Sequence, residues 1–476
     1  MVTTTLLILG ASGDLTSRLL LPALGALLER EPDRNIALLG AGSDEWSAEK
    51  WRETVASRFA EAGATSAASR VGETSYTRAD VTDAKSMRSL IAGIGGPLVI
   101  YFALPPAITK RCCEALKSID LPDHTVLALE KPFGGDEESA KDLNRRLLDL
   151  VPEERVFRVD HFLGRSSLLN ILGVRLTNRI FAPVWNAEHV ESVEIRFDET
   201  LALEDRARYY DHAGALVDMI QSHLLQVLSL IALEPPAALD EVSLRSAKTA
   251  ALRATHIWGD DPVTASRRGR YTAGSIAGSD VVSYVDEPGV DPSNRTETYA
   301  DVVCEVRTER WAGVPFRLRS GKALGKNRSE ITLRFRPVRH LAEGFGGSVP
   351  DGGRLTFTLG PDQLHLELNV TGGVDPFQIH RDTLASRLGD GQLRAYSEVL
   401  SEILDGNVTL SVRADSAEEC WRILQPVRDA WARDHVEMHE YAAGSEGPEP
   451  LSVPGLLTKS RSAAPERHPA IPPVAR

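Results

Sequence analysis

The run from residue 5 to residue 39 constrains the fold most. Leu6-Leu7-Ile8-Leu9 reads as a short apolar strand and Gly10-Ala11-Ser12-Gly13 as a turn. Leu19 to Leu28 repeats apolar residues at helical spacing, and Ile36 to Leu39 is a second apolar strand. Strand, crossover helix and strand make a right-handed βαβ unit. Leu98-Val99-Ile100-Tyr101-Phe102 and Val126-Leu127-Ala128-Leu129 are further strands, separated by charged helical stretches. The doubly wound pattern therefore extends to about residue 165.

After about residue 190 the pattern changes. Val193 to Phe197, Ile331 to Phe335, Leu355 to Leu359 and Leu364 to Leu368 alternate apolar with polar residues at period two, as antiparallel strands with one wet face do. Helices such as Leu216 to Leu233 and Arg394 to Leu404 are expected to cover the apolar face of that sheet. A chain of 476 residues also exceeds what one hydrophobic core normally supports. The expected architecture is α/β plus α+β. Residues 1–175 form an N-terminal Rossmann-type, dinucleotide-binding domain, and residues 176–445 a C-terminal domain with a large, mainly antiparallel sheet covered by helices. Residues 446–476, rich in Pro, Ser, Ala and charge, are expected to be a mobile tail.

Charge and cysteine content exclude several classes. The net charge of −13 argues against general nucleic-acid binding, while leaving room for a local basic pocket. The four cysteines show neither metal-ligand spacing nor a disulfide framework, which suits a reducing cytoplasm, and no metal is expected. Adjacent Cys112 and Cys113 read as helical core residues. No basic leader opens the chain and no apolar run reaches about 18 residues, so neither secretion nor membrane spanning is expected.

A turn that ends a buried strand and opens a helix presents backbone N–H groups and a positive dipole end, which suits a pyrophosphate. Gly10 and Gly13 are placed for that, although their spacing departs from G-x-G-x-x-G and a plain strand-to-helix turn is the alternative. Tyr101 to Pro106 supports the nucleotide, since Pro105 and Pro106 would halt a strand and open a crevice at its carboxyl end. After the second strand the chain reads Gly42-Ser43-Asp44-Glu45, with no arginine for a 2′-phosphate. The two carboxylates would repel that group unless Ser43, backbone amides or Arg18 compensate. Alternatively, Asp44 and Glu45 start the next helix with Ser43 as its cap.

Arg158-Val159-Asp160-His161-Phe162-Leu163-Gly164-Arg165 gathers acid, imidazole, glycine and guanidinium, a set able to bind a phosphorylated sugar. A second run, Tyr209-Tyr210-Asp211 through Asp218 to His223, offers a proton acceptor. Read alone, His223 is more often a satisfied core histidine on an apolar helix. Asp218 lies about 140° round a 3.6-residue helix from His223, so both could border one pocket without stacking. Lys131, in Glu130-Lys131-Pro132-Phe133-Gly134, should emerge at the sheet's carboxyl edge, or lie in a solvated turn.

Taken in order, six motifs strongly resemble the glucose-6-phosphate dehydrogenase family. They are Gly10 to Leu15, Ala103 to Pro106, Glu130 to Gly134, Asp160 to Gly164, Asp218 to His223 and Arg310 to Phe316, and the likeness spans roughly residues 5 to 450. The resemblance implies oxidation of glucose 6-phosphate at C1 to the 6-phospho-lactone, with hydride passing to NADP or NAD, at the entry to the pentose phosphate pathway. It makes His223 the base and Asp160 its orienting carboxylate, with substrate held by Lys131, His161, Arg165, Glu199, Asp218, Arg319 and Lys322. It places the cofactor on Gly10, Ser12, Gly13, Asp14, Leu15, Ser43, Tyr101, Pro105 and Lys131, and implies a homodimer or homotetramer joined through the large sheet.

The sequence departs from the family pattern in three places. His161-Phe162-Leu163-Gly164-Arg165 replaces the usual His-Tyr-Leu-Gly-Lys, and Thr16-Ser17-Arg18-Leu19 keeps one cation where the family carries several. With Ser43 in place of the usual arginine, relaxed use of NADP and NAD is expected. Two further readings are a sugar oxidoreductase of the glucose–fructose oxidoreductase and inositol dehydrogenase type, and a weakly active nucleotide-sensing paralogue.

Overall fold

A computed structural model describes residues 3–67, 71, 74–164, 166–203, 207–346, 350–372, 375–388 and 395–453. Six short strands, β1 (Thr4–Leu9), β2 (Ile36–Gly42), β3 (Ser75–Arg78), β4 (Leu98–Phe102), β5 (Val126–Glu130) and β6 (Val156–Val159), form a parallel sheet. Its order β3-β2-β1-β4-β5-β6 reverses direction between β1 and β4, the switch point where ligands bind in such sheets. Side chains alternate across it. Leu6, Ile8, Val99 and Tyr101 pack on the side of α1 (Leu21–Arg30) and α2 (Ala48–Glu61). Leu7, Leu9, Ile100 and Phe102 pack on the side of α3 (Ala84–Ile91), α4 (Pro106–Leu116) and α5 (Glu137–Leu148), where Cys112 and Cys113 are buried as expected.

The second sheet has ten strands. They are β7 (Val190–Asp198), β8 (Thr255–Ile257), β9 (Ser266–Thr272), β12 (Tyr299–Val306), β13 (Pro315–Gly321), β14 (Arg328–Phe335), β15 (Arg354–Leu359), β16 (Asp362–Thr371), β17 (Ile379–Arg387) and β18 (Met438–Ala442). A small hairpin, β10 (Gly274–Ile276) with β11 (Ser279–Val281), stands apart. Pairing is antiparallel except at β7/β13 and β9/β18. Register puts Val193, Ile195, Val302, Phe316, Leu318, Ile331 and Phe357 on one buried apolar face. Glu194, Arg196, Asp301, Arg317, Arg319 and Glu330 share the opposite face. The second half also contains α6 (Ser166–Thr177), α7 (Ala207–Ala215), α8 (Leu225–Ala232), α9 (Glu241–Arg253), α10 (Ala395–Asp405) and α11 (Ala414–Ala432).

Two expectations need correction. Helix α10 does not cover the second sheet: Val399, Leu400 and Ile403 pack with Leu24 and Leu27 on the first. The segment expected to start a mobile tail at 446 is packed through Val453. Glu446 pairs with Arg328 at 2.8 Å, and Leu451 and Val453 are buried; residues 454–476 lie outside the described set. The helical run Tyr209–Ala232 is long and apolar enough to cross a membrane, yet 89% of its apolar window is buried inside the protein, as in a core helix. Asp211, Asp218 and His223 interrupt its sequence, which is why no unbroken apolar run is visible there.

Candidate active site

Asp160 follows β6 at the carboxyl edge of the parallel sheet, in a tight turn closed by Leu163 N–H donating to the Asp160 carbonyl at 3.0 Å. Its Oδ1 accepts the Phe162 N–H at 3.0 Å and lies 2.5 Å from His223 Nδ1. Both side chains are almost wholly buried. Burial alone would raise the Asp160 pKa, but the charge and hydrogen bond of His223 bring it down to about 2. Burial, helped by Lys131, pushes the His223 pKa below the ordinary imidazole value, against the pull of Asp160. The pair therefore rests as carboxylate and neutral imidazole at neutral pH. With Nδ1 engaged by Asp160, Nε2 is left as the proton acceptor.

The backbone under His223 is unusual. Leu216–Leu224 is a π-helical segment between α7 and α8, and Leu225 N–H bonds back to the Ile220 carbonyl, five residues earlier. That wider turn changes the expected geometry. Residues five apart come towards one side, so Asp218 and His223 are neighbours whose charges act on each other, not groups 140° apart. The Phe162 ring stacks on His223 with centroids 4.1 Å apart and planes 12° from parallel, and rests against Phe197.

Lys131, just past β5, reaches across to this segment. Its Nζ donates to the Asp218 carbonyl at 2.6 Å and to Asp218 Oδ1 at 2.8 Å, with Tyr209 Oη 3.4 Å from the same oxygen. Burial would raise the Asp218 pKa, but Lys131 holds it well below the ordinary carboxylate range. Lys322 pairs with Glu199 at 2.7 Å, and its charge also acts on Asp218, so these two border the same cluster. His161 joins it edge-on, its ring 4.9 Å from that of His223 and stacked on Tyr396 at 5.1 Å.

Other expected contacts are placed differently. Arg319 lies on the charged face of the second sheet, away from the helices, bonding Asp198 at 3.0 Å and the Glu446 carbonyl at 2.8 Å. Tyr101 is wholly buried, with its hydroxyl donating to Glu130 at 2.6 Å. Arg165 lies outside the described residues.

The turn after β1 fits a dinucleotide. Gly10 has φ +84°, and a Cβ there would lie 2.2 Å from the Ala103 carbonyl oxygen, so the turns after β1 and β4 approach as closely as backbone allows. Gly13 and Asp14 are exposed where the helix opens with Asp14 and Leu15, and exposed Pro105 stands at the start of α4. Backbone N–H groups at such an opening are suited to phosphate oxygens. A Cβ on Gly42 would meet Tyr76 Oη at 2.9 Å and Ser12 Oγ at 3.2 Å. Ser43 is exposed and does not cap α2; that cap is Ser47, whose side chain accepts from Lys50 N–H at 3.1 Å. Arg18 pairs instead with Asp14 at 3.4 Å.

Family models match nearly the whole chain. That for the NAD binding domain of glucose-6-phosphate dehydrogenase covers residues 7–170, and that for its C-terminal domain covers 172–459. The chain belongs to the glucose-6-phosphate dehydrogenase family. It is 36% identical over 468 residues to glucose-6-phosphate 1-dehydrogenase of Gluconobacter oxydans (93% of this chain, 94% of the relative). To that of Zymomonas mobilis it is 33% identical over 469 residues (93% and 96%). The fold superposes on the crystal structure of glucose-6-phosphate 1-dehydrogenase from Mycobacterium avium with TM-score 0.85 at 31% identity, covering 98% of this chain and 100% of that one. It also matches a glucose-6-phosphate dehydrogenase in complex with glucose 6-phosphate, with TM-score 0.83 at 28% identity (94% and 95%). Its parallel-sheet half is thus the nicotinamide-nucleotide domain of a glucose-6-phosphate dehydrogenase family protein.

In this family member, three side chains at the site were missed from sequence. Tyr396 comes from a helix some 235 positions beyond His161, so no local spacing reveals it. Glu130 sits within a recognised motif, but its enclosure by Tyr101, and the burial that pushes its carboxyl up to about 7, are visible only in space. Phe162 reads as a lost hydroxyl in sequence and as a backing plate for His223 in structure.

Proposed function

We propose that this protein oxidises glucose 6-phosphate at C1 to 6-phospho-glucono-lactone, using NADP and also NAD, at the entry to the pentose phosphate pathway. The observation that carries the reading is the buried Asp160–His223 pair beside Lys131 and Asp218. His223 Nε2 takes the proton of the C1 hydroxyl as hydride leaves the same carbon. Asp160 keeps the proton of the resting imidazole on Nδ1 and stabilises the imidazolium that forms. A bound nicotinamide supplies the hydride acceptor. Gly10, Ser12, Gly13, Asp14, Leu15, Ser43 and Pro105 would hold the dinucleotide at the switch point, and Lys131 would orient substrate and nicotinamide together. Asp218, Glu199 and Lys322 would hold sugar hydroxyls, and His161 and Arg165 the phosphate. The assembly we infer is a homodimer or homotetramer through the charged face of the second sheet, in a reducing cytoplasm that keeps the four buried cysteines free.

The test is NAD(P)H absorbance with glucose 6-phosphate, free glucose, inositol and no sugar. A rate with the phosphorylated sugar alone supports the proposal. Turnover of inositol or free glucose instead would indicate the glucose–fructose oxidoreductase type, and no turnover at all a nucleotide-sensing paralogue.

A further inference from the structure

Position 43, where an arginine would grip an adenosine 2′-phosphate, is serine, yet a guanidinium stands beside it. Register pairs Arg78, the last residue of β3, with Gly42, so its side chain leaves the sheet next to Ser43. Arg78 Nε donates to the Ser43 carbonyl at 3.2 Å, and its Nη1 contacts the Glu45 carboxylate. Tyr76, two residues earlier in the same strand, donates to the Asp44 carbonyl at 3.0 Å and lies against Ser12 of the glycine turn. Strand β3 thus ties the end of β2 to the pyrophosphate turn. Arg78 also borders a cleft of about 550 Å³ between β2, β3 and α3, which Lys85 and Ser86 of the helix also line.

We propose that Arg78 is the cofactor-specificity residue of this chain, reading the adenosine 2′-phosphate from β3 in place of an arginine after β2. The inference rests on the dinucleotide reading above. Its physical basis is reach and charge: a planar guanidinium binds phosphate oxygens bidentately, and Arg78 and Glu45 are both largely exposed, so their ion pair is weak. A 2′-phosphate carries more charge than the Glu45 carboxylate and can displace it. With NAD, the Arg78–Glu45 pair persists and the ribose hydroxyl does not compete for the guanidinium. One arginine held in this exchange accounts for use of both cofactors better than Ser43 alone.

Calorimetric binding of 2′,5′-ADP and of 5′-AMP to the full chain, without sugar, tests this independently of turnover. The wild-type protein is expected to bind 2′,5′-ADP the more tightly. Arg78→Ala is expected to weaken 2′,5′-ADP by about 10- to 100-fold, the worth of a hydrogen-bonded charge pair, and 5′-AMP by less than about threefold. Retained 5′-AMP binding also reports that the variant is folded. Adding Ser43→Arg to Arg78→Ala should restore 2′,5′-ADP binding. A wild-type preference for 5′-AMP, or equal or absent effects of Arg78→Ala on the two ligands, would overturn the inference. Failure to oxidise glucose 6-phosphate would count against the proposed function while leaving this binding result intact.

Discussion

Asp160 and His223 join the two halves of the molecule: a carboxylate that follows the parallel sheet lies 2.5 Å from an imidazole on a helix of the second half. Neither residue is useful alone. The carboxylate is buried and needs a partner, and the imidazole needs a fixed tautomer before Nε2 can accept a proton.

Replacing Asp160 with Asn keeps a hydrogen-bonding group but removes the charge. An amide can stabilise the wrong tautomer, so kcat should fall about 10²–10⁴-fold. The Asp160 charge raises the His223 pKa against burial and Lys131, so its loss lowers that pKa further. The acid limb of the kcat/KM profile should therefore move to lower pH. A limb that stays in place or moves up would separate that titration from His223.

Phe162 lies flat on the His223 ring, so Phe162→Leu should disturb the base before it disturbs phosphate binding. An aromatic pair is worth about 0.5–1.5 kcal/mol beyond buried area, which corresponds to a kcat decrease of about 2- to 10-fold. Steady-state kinetics should show that loss in kcat with KM for glucose 6-phosphate little altered. A change confined to KM would return Phe162 to the phosphate site.

Lys131 and Asp218 form a nearly buried ion pair, and breaking such a pair costs about 3–5 kcal/mol because one charge is left unpartnered. Lys131→Met should therefore lower Tm as well as activity. In the wild-type protein the Asp218 pKa is depressed, so its stabilisation is present above the unfolded value, about 3.9, and is lost as pH falls through the lower folded value. In the variant burial dominates, the pKa rises, and stability is lost as pH increases instead. The stability difference between the two proteins should widen from about pH 4 to pH 7 in denaturant melts. A constant difference would mean that Asp218 keeps its charge without Lys131.

Much of this was legible in the sequence, for physical reasons. The runs at Leu6, Leu98 and Val126 are short, apolar and bounded by glycine or proline, as strands buried on both faces must be, and all three are central in the first sheet. Strands β12 and β13 were missed because they too are buried on both faces, in a sheet expected to alternate; Asp301, Arg317 and Arg319 pair there beneath the surface. The destination of α10 was not legible either. Its apolar stripe suits any partner, and its packing against α1 is a contact between segments more than 360 residues apart. At the site, Asp160, His223 and Lys131 were found through their motifs. Their closeness to Asp218 depends on a π-helical turn, which a 3.6-residue periodicity cannot anticipate.

The most direct test of the account is the His223→Asn variant, assayed at saturating glucose 6-phosphate and nicotinamide cofactor alongside a direct measurement of sugar-phosphate binding. The predicted result is a kcat lower by about 10²–10⁴-fold, the usual worth of a general base, with glucose 6-phosphate affinity little changed. Near-normal kcat in that variant would contradict the assignment of the Asp160–His223 pair as the machinery of proton removal.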